Sequence, residues 1–195
     1  MKYLFLLVFV IVLSCSYKEQ SYISIEQKKS DYPISLALDN DTIKYMDIPL
    51  TFLINKTSSK KVVLSSCTYL CASDYTLAPH AWDFNAALFF NVNGKVVRTS
   101  DIDGLREMNK QQREVIVYIR YQCFTPDFQK IVKSRIKLSQ KNGIVKIGSV
   151  QELKNNNKEL IENLLQHDSI CFSFDYKDDI NEYRVGYVYM PVSVR

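Results

Sequence analysis

Apolar side chains recur at every second position through most of this chain. Pro33–Leu38 alternates apolar and small residues, and Ile48, Leu50, Phe52 and Ile54 share one face. So do Val115, Val117, Ile119 and Tyr121, then Ile170, Phe172, Phe174 and Tyr176, then Tyr183, Val185, Tyr187 and Tyr189. Shorter runs at Val62–Leu64, Ala86–Val92, Lys95–Val97 and Ile144–Val150 fit the same period, which is that of a β-strand. Turn-forming clusters separate them: Asp39-Asn40-Asp41, Asn55–Lys60, Asn142-Gly143 and Lys177–Asn181. Asn93-Gly94 between two apolar runs predicts a tight hairpin, because both turn residues must accept positive φ. Phe128–Leu138 reads as a strand with a basic outer face of Lys130, Lys133, Arg135 and Lys137.

One segment has helical spacing: Leu153, Leu160, Ile161, Leu164 and Leu165, with Asn155, Asn156 or Asn157 as its cap. About nine strands with short turns and this one late helix predict an all-β fold, an antiparallel two-sheet sandwich with the helix laid across it.

The N-terminus has another pattern. Lys2 precedes eleven apolar residues, Tyr3–Leu13, and then Ser14-Cys15-Ser16, the layout of a secretory signal peptide. Eleven helical residues at about 1.5 Å each reach roughly half of a ~30 Å bilayer core, so a spanning anchor is disfavoured. Val12-Leu13-Ser14-Cys15 resembles the lipobox of bacterial lipoproteins, with Leu13 where the family more often has a small residue. The resemblance implies removal of residues 1–14 and lipidation of Cys15 by diacylglyceryl and fatty acyl (palmitate-type) chains. Two or three such chains anchor stably. In that family an Asp after the cysteine retains the protein at the inner membrane; Ser16 implies the outer membrane. Ordinary cleavage within Ser14-Cys15-Ser16 would instead release a secreted protein. The mostly polar residues 15–30 read as a tether, and residues 31–195 as one β-sandwich domain.

Pro49–Ser100 resembles the front half of immunoglobulin-like sandwiches of bacterial surface proteins. An apolar strand ends in Asn55-x-Thr57, a Val62-x-Leu64 strand follows, and a hairpin closes on Gly94-Lys95-x-Val97. The resemblance favours a sandwich over a barrel and implies nothing about function.

Charge narrows the partners. Twenty-five basic and 21 acidic residues leave +4, scattered along the chain, so nucleic acid is not an expected partner. Besides Cys15 there are Cys67, Cys71, Cys123 and Cys171, which allow three pairings. Cys67–Cys71 is the candidate disulfide if the chain doubles back between them, while Cys123 and Cys171 lie in strand-like text.

The chain has no G-x-S-x-G, H-E-x-x-H or Gly-rich phosphate loop, and His80 and His167 each lack a second ligand nearby in sequence. No cofactor is expected. Asp101 and Asp103 are weak calcium candidates, because the closing Glu is missing. Cys67–Phe84, with Tyr69, Tyr75, His80 and the single Trp82, reads as a possible binding loop, or alternatively as the start of a buried strand. The expectation is a non-enzymatic, membrane-anchored envelope protein that binds a partner protein or a glycan. An inhibitor or immunity-type protein is an alternative, as is an envelope hydrolase in which Asp101, Asp103 and His80 converge.

Overall fold

The computed structural model describes residues 22–70, 84–101, 107–108, 111–122, 126–136, 138, 141–165, 167–177 and 182–193. These contain eleven strands: β1 Ile23–Lys28, β2 Pro33–Asp39, β3 Thr42–Lys56, β4 Val62–Leu70, β5 Phe84–Asn85, β6 Ala87–Val92, β7 Lys95–Arg98, β8 Gln112–Gln122, β9 Gly143–Ser149, β10 Ser169–Lys177 and β11 Tyr183–Pro191. They form two antiparallel sheets, as the periodicity predicts. Sheet A runs β7-β6-β8-β3-β2-β9, and sheet B runs β11-β10-β4-β5. β3 is long enough that β2 pairs with its first half and β1 with its second.

The period-two faces become the core. Ile48, Leu50, Phe52 and Ile54 of β3 and Val115, Val117 and Ile119 of β8 are all 2% exposed or less. They meet sheet B at Phe52 and Phe172, whose rings pack edge to face at 5.1 Å. The Asn93-Gly94 turn adopts the expected conformation, with φ of 54° and 82°, and joins β6 to β7.

Three sequence expectations are corrected. Phe128–Leu138 is not a strand: Pro126–Arg135 is a helix, α1. Pro126 occupies the first helical position, where its missing N–H costs nothing. Buried Val132 and Ile136 are four residues apart, so the basic positions that look alternating are incidental to a helical face. The late helix is two helices, α2 Val150–Asn156 and α3 Lys158–Leu165. Ser149 caps α2 through a reciprocal capping box with Glu152, and Asn157 both ends α2 and stands directly before α3, its carbonyl accepting from the Ile161 N–H at 3.3 Å. The Ser149 backbone N–H, donating to Glu152, holds that carboxyl below its ordinary pKa.

The third correction concerns the tether, which does not extend to residue 30. Ile23–Lys28 pairs with β3 along its whole length, and Ile23 is buried. Gln27 is buried as well, because its amide substitutes for a strand partner: Nε2 donates to the Ser193 carbonyl at 2.6 Å, and Oε1 accepts from the Ser193 N–H at 2.8 Å. The sandwich therefore begins at or before Ile23.

Candidate functional site

Both faces of β11 are apolar, and β11 is the outer strand of sheet B, hydrogen-bonded to β10 alone among the described strands. Val188 and Met190 point inward and pack against the core. The opposite parity therefore faces solvent: Tyr183 is 78% exposed, Val185 54%, Tyr187 63% and Tyr189 64%. Only Ile144, on the other sheet, is a comparably exposed large apolar side chain among the described residues.

The register defines the rest of this surface, because directly opposed residues share a face. Lys177 stands opposite Tyr183, Asp175 opposite Val185, Ser173 opposite Tyr187 and Cys171 opposite Tyr189. One strand further, Ser66 lies beside Ser173 and Thr68 beside Cys171, with the two serine hydroxyls 2.7 Å apart. Beside the row of rings the side chains are small; Cys171 and Ser173 are buried, while Ser66 and Thr68 are half-buried. Charge is confined to the hairpin end, where Lys177 Nζ sits 5.0 Å from the Tyr183 ring centroid and Arg184 pairs with Glu182 at 2.7 Å. A hydrogen bond with Cys171 raises the Tyr189 phenol above its ordinary pKa.

At the other end of β11, Tyr189 borders a shallow cavity of about 510 Å³, which His167, Asp168, Ser169, Pro191 and Val192 also line. His167 holds a left-handed φ of 66°, a strained conformation for a non-glycine residue. Behind the cavity is a buried polar knot. The Tyr69 hydroxyl donates to Asp168 Oδ2 and lies 2.8 Å from the Tyr121 hydroxyl. Tyr121 lies 2.7 Å from the Leu164 carbonyl and 3.2 Å from Asp168 Oδ2, and can donate to either. Burial, then Tyr121 and Asp168, push the Tyr69 phenol well above its ordinary pKa. The knot joins β4, β8, the end of α3 and the start of β10, and fixes the backbone that shapes the cavity wall.

The sequence-derived candidates fare differently. Tyr69 is not on a loop: it is a β4 residue at 0% exposure in the core, so it cannot line an exposed binding loop. Cys67 carries a free, buried thiol, pushed upward in pKa by that burial. It pairs with Phe172 on the core side, while the free thiol of Cys171 is on the opposite face, so these two cannot join. Cys15, Cys71, Tyr75, His80, Trp82, Asp103 and Cys123 lie outside the described residues. Asp101 ends a 3-10 turn, Thr99–Asp101. Among the described residues no group of three His, Cys, Asp or Glu side chains is placed to hold a metal, and no helix is long and apolar enough to cross a membrane.

The tyrosines of β11 were not singled out from sequence, although the signal is there. Tyr187 and Tyr189 alternate with Val188 and Met190, and a strand apolar on both faces must show one of them unless sheets cover both.

No family model and no curated protein matches the chain. A solved structure of a DUF4466 family protein from Parabacteroides merdae is similar over 88% of this chain at 11% identity, with a TM-score of 0.17. The chain spans 44% of that structure's length, and a likeness at this score carries no argument about fold or function.

Proposed function

We propose that this is a lipid-anchored, non-enzymatic binding protein of the bacterial cell envelope, held through Cys15 and making contact through the exposed face of β11. The observation that carries the reading is the row of Tyr183, Val185, Tyr187 and Tyr189, each more than half exposed on a nine-residue edge strand. Tyrosine offers large contact area at little entropic cost and a hydroxyl for orientation, which suits a recognition surface. A long apolar edge left bare is otherwise an aggregation hazard.

The first described residue of the chain lies close to this surface. Tyr22, where the tether meets β1, packs on Tyr176 at 5.1 Å, beside the hairpin end of β11. Five residues on, Gln27 meets Ser193 at the cavity end. The cavity thus lies roughly 17 Å along the sandwich from Tyr22, at about 3.4 Å per residue.

Two measurements test the reading. Mass spectrometry of native material should find a diacylated or triacylated Cys15 N-terminus, and Cys15→Ser should abolish membrane association. Capture of envelope material on the immobilised domain should fall at least tenfold for the Tyr187→Ala/Tyr189→Ala protein. Equal capture by both proteins would remove β11 as the contact face.

A further inference from the structure

We infer that the occupant of the β11 face is an uncharged glycan chain, lying along the tyrosines with one end over the cavity beside Tyr189. This rests on the binding reading above and names the class of ligand. Three features carry it.

The first is charge. From Tyr187 to Tyr189 the outer rows of sheet B pair tyrosine rings with Ser173, Ser66, Cys171 and Thr68. Among the described residues the charged side chains on this face, Asp175, Lys177 and the Lys61–Glu107 pair, sit toward the hairpin. Among the described residues an acidic or basic partner would find no complementary charge beside the exposed rings of Tyr187 and Tyr189, whereas a neutral, hydroxyl-rich one buries no charge there.

The second is the mixture of surfaces. A sugar ring presents C–H groups on its faces and hydroxyls around its rim. The C–H groups suit the electron-rich face of a tyrosine, and the rim hydroxyls suit the phenols and the half-buried Thr68 hydroxyl. Tyr183, Tyr187 and Tyr189 span six residues, roughly 20 Å at about 3.4 Å per residue, so the row addresses a chain of several sugars rather than a single one.

The third is area, which argues against a second copy of this chain. Aromatic side chains bury about 150–250 Å² each when fully covered, so three tyrosines and a valine at these exposures offer on the order of 500 Å². A standard protein interface takes roughly 800 Å² from each partner. A narrow row ending in a concavity of about 510 Å³ fits a linear ligand better than a flat protein surface.

The test is affinity electrophoresis of the full mature chain in gels cast with soluble neutral polysaccharides (xylan, mannan, mixed-linkage β-glucan, dextran and starch), with an anionic polysaccharide, polygalacturonate, beside them. The expected result is retardation by at least one neutral polymer, with affinity lowered at least tenfold by Tyr187→Ala and again by Tyr189→Ala. Tyr45→Ala, on the other sheet, should leave it unchanged, and far-ultraviolet dichroism should show each variant folded. Retardation by the anionic polymer alone, by none of the polymers, or by a neutral polymer with no response to either β11 substitution would overturn the inference. Envelope capture separates that failure from failure of the binding reading. Capture of a protein that depends on Tyr187 and Tyr189, with no polysaccharide bound, would sink the glycan and keep the surface; no Tyr-dependent capture of any kind would sink both.

Discussion

Tyr69 and Tyr121 occupy the interior of the sandwich and Tyr183, Tyr187 and Tyr189 its outer edge, and the same side chain is used in opposite ways. Each interior phenol is committed to named partners, the Asp168 carboxylate, the Leu164 carbonyl and the other phenol. The two rings also pack edge to face at 6.4 Å. At the edge the rings remain largely in water. Interior tyrosines are expected to govern stability and edge tyrosines binding, and the difference can be measured.

The largest contrast should come from truncation. Tyr69→Ala removes a fully buried aromatic and leaves Asp168 and Tyr121 short of a partner, so denaturant unfolding should show a loss of about 3–5 kcal/mol. Tyr187→Ala should change stability by no more than about 0.5 kcal/mol, as expected for a solvent-facing position. Comparable losses from the two would erase the distinction between the regions.

A second contrast lies in alkaline solution. Burial keeps both the Cys67 thiol and the Tyr69 phenol protonated beyond their ordinary ranges in the folded chain. The unfolded chain releases these protons first, near pH 8.5 for cysteine and about 10 for tyrosine, so it binds fewer protons and stability falls as pH rises. Each group contributes a slope of about 1.4 kcal/mol per pH unit once its unfolded form has titrated. Denaturation midpoints measured from pH 7 to 10.5 should be level, then decline. Cys67→Ala should delay the onset toward pH 10, and a midpoint independent of pH across this range would contradict the burial of both groups.

These two regions also show where a sequence can be read and where it cannot. The β3 and β8 faces were legible because their core-facing apolar residues recur every second position, although Pro49, Thr51 and Ile116 between them are buried as well, and Asn93-Gly94 because its backbone leaves few other residues able to serve. α1 was hidden because Lys130, Lys133, Arg135 and Lys137 mimic a polar strand face while the apolar residues keep helical spacing. β1 was hidden because its membership rests on pairing with the second half of β3, a non-local contact that the mostly polar Ser24–Lys28 does not announce. The β11 surface was hidden for a related reason. Alternation identifies two faces but not which one meets the core, and a strand's place at a sheet edge is a property of topology, which local pattern does not carry.

A smaller effect is expected on the outer face of sheet A, where aromatic groups are already engaged. Arg120 pairs with both oxygens of Asp47 at 2.7 and 2.8 Å and lies 3.8 Å from the centroid of the Tyr45 ring. Bonding to Asp47 raises its pKa further. The group is partly exposed, so solvent screening limits its worth, and Arg120→Ala should cost no more than about 1 kcal/mol, less in high salt. Its effect on ligand binding at β11 should be nil.

The smallest stability effect should accompany Tyr187→Lys, at the middle of the exposed row. A lysine there is what protected edge strands commonly carry, since a charge on the edge opposes pairing with another chain. Its side chain replaces one that is 63% exposed and requires no burial of charge, so thermal unfolding should shift by no more than a degree or two. Sedimentation at high protein concentration should show weak association of the wild-type chain and less of the variant, while glycan affinity falls as it does for Tyr187→Ala. A destabilisation above about 1 kcal/mol would mean that position 187 is covered in solution, and the edge tyrosines would then belong with the interior ones.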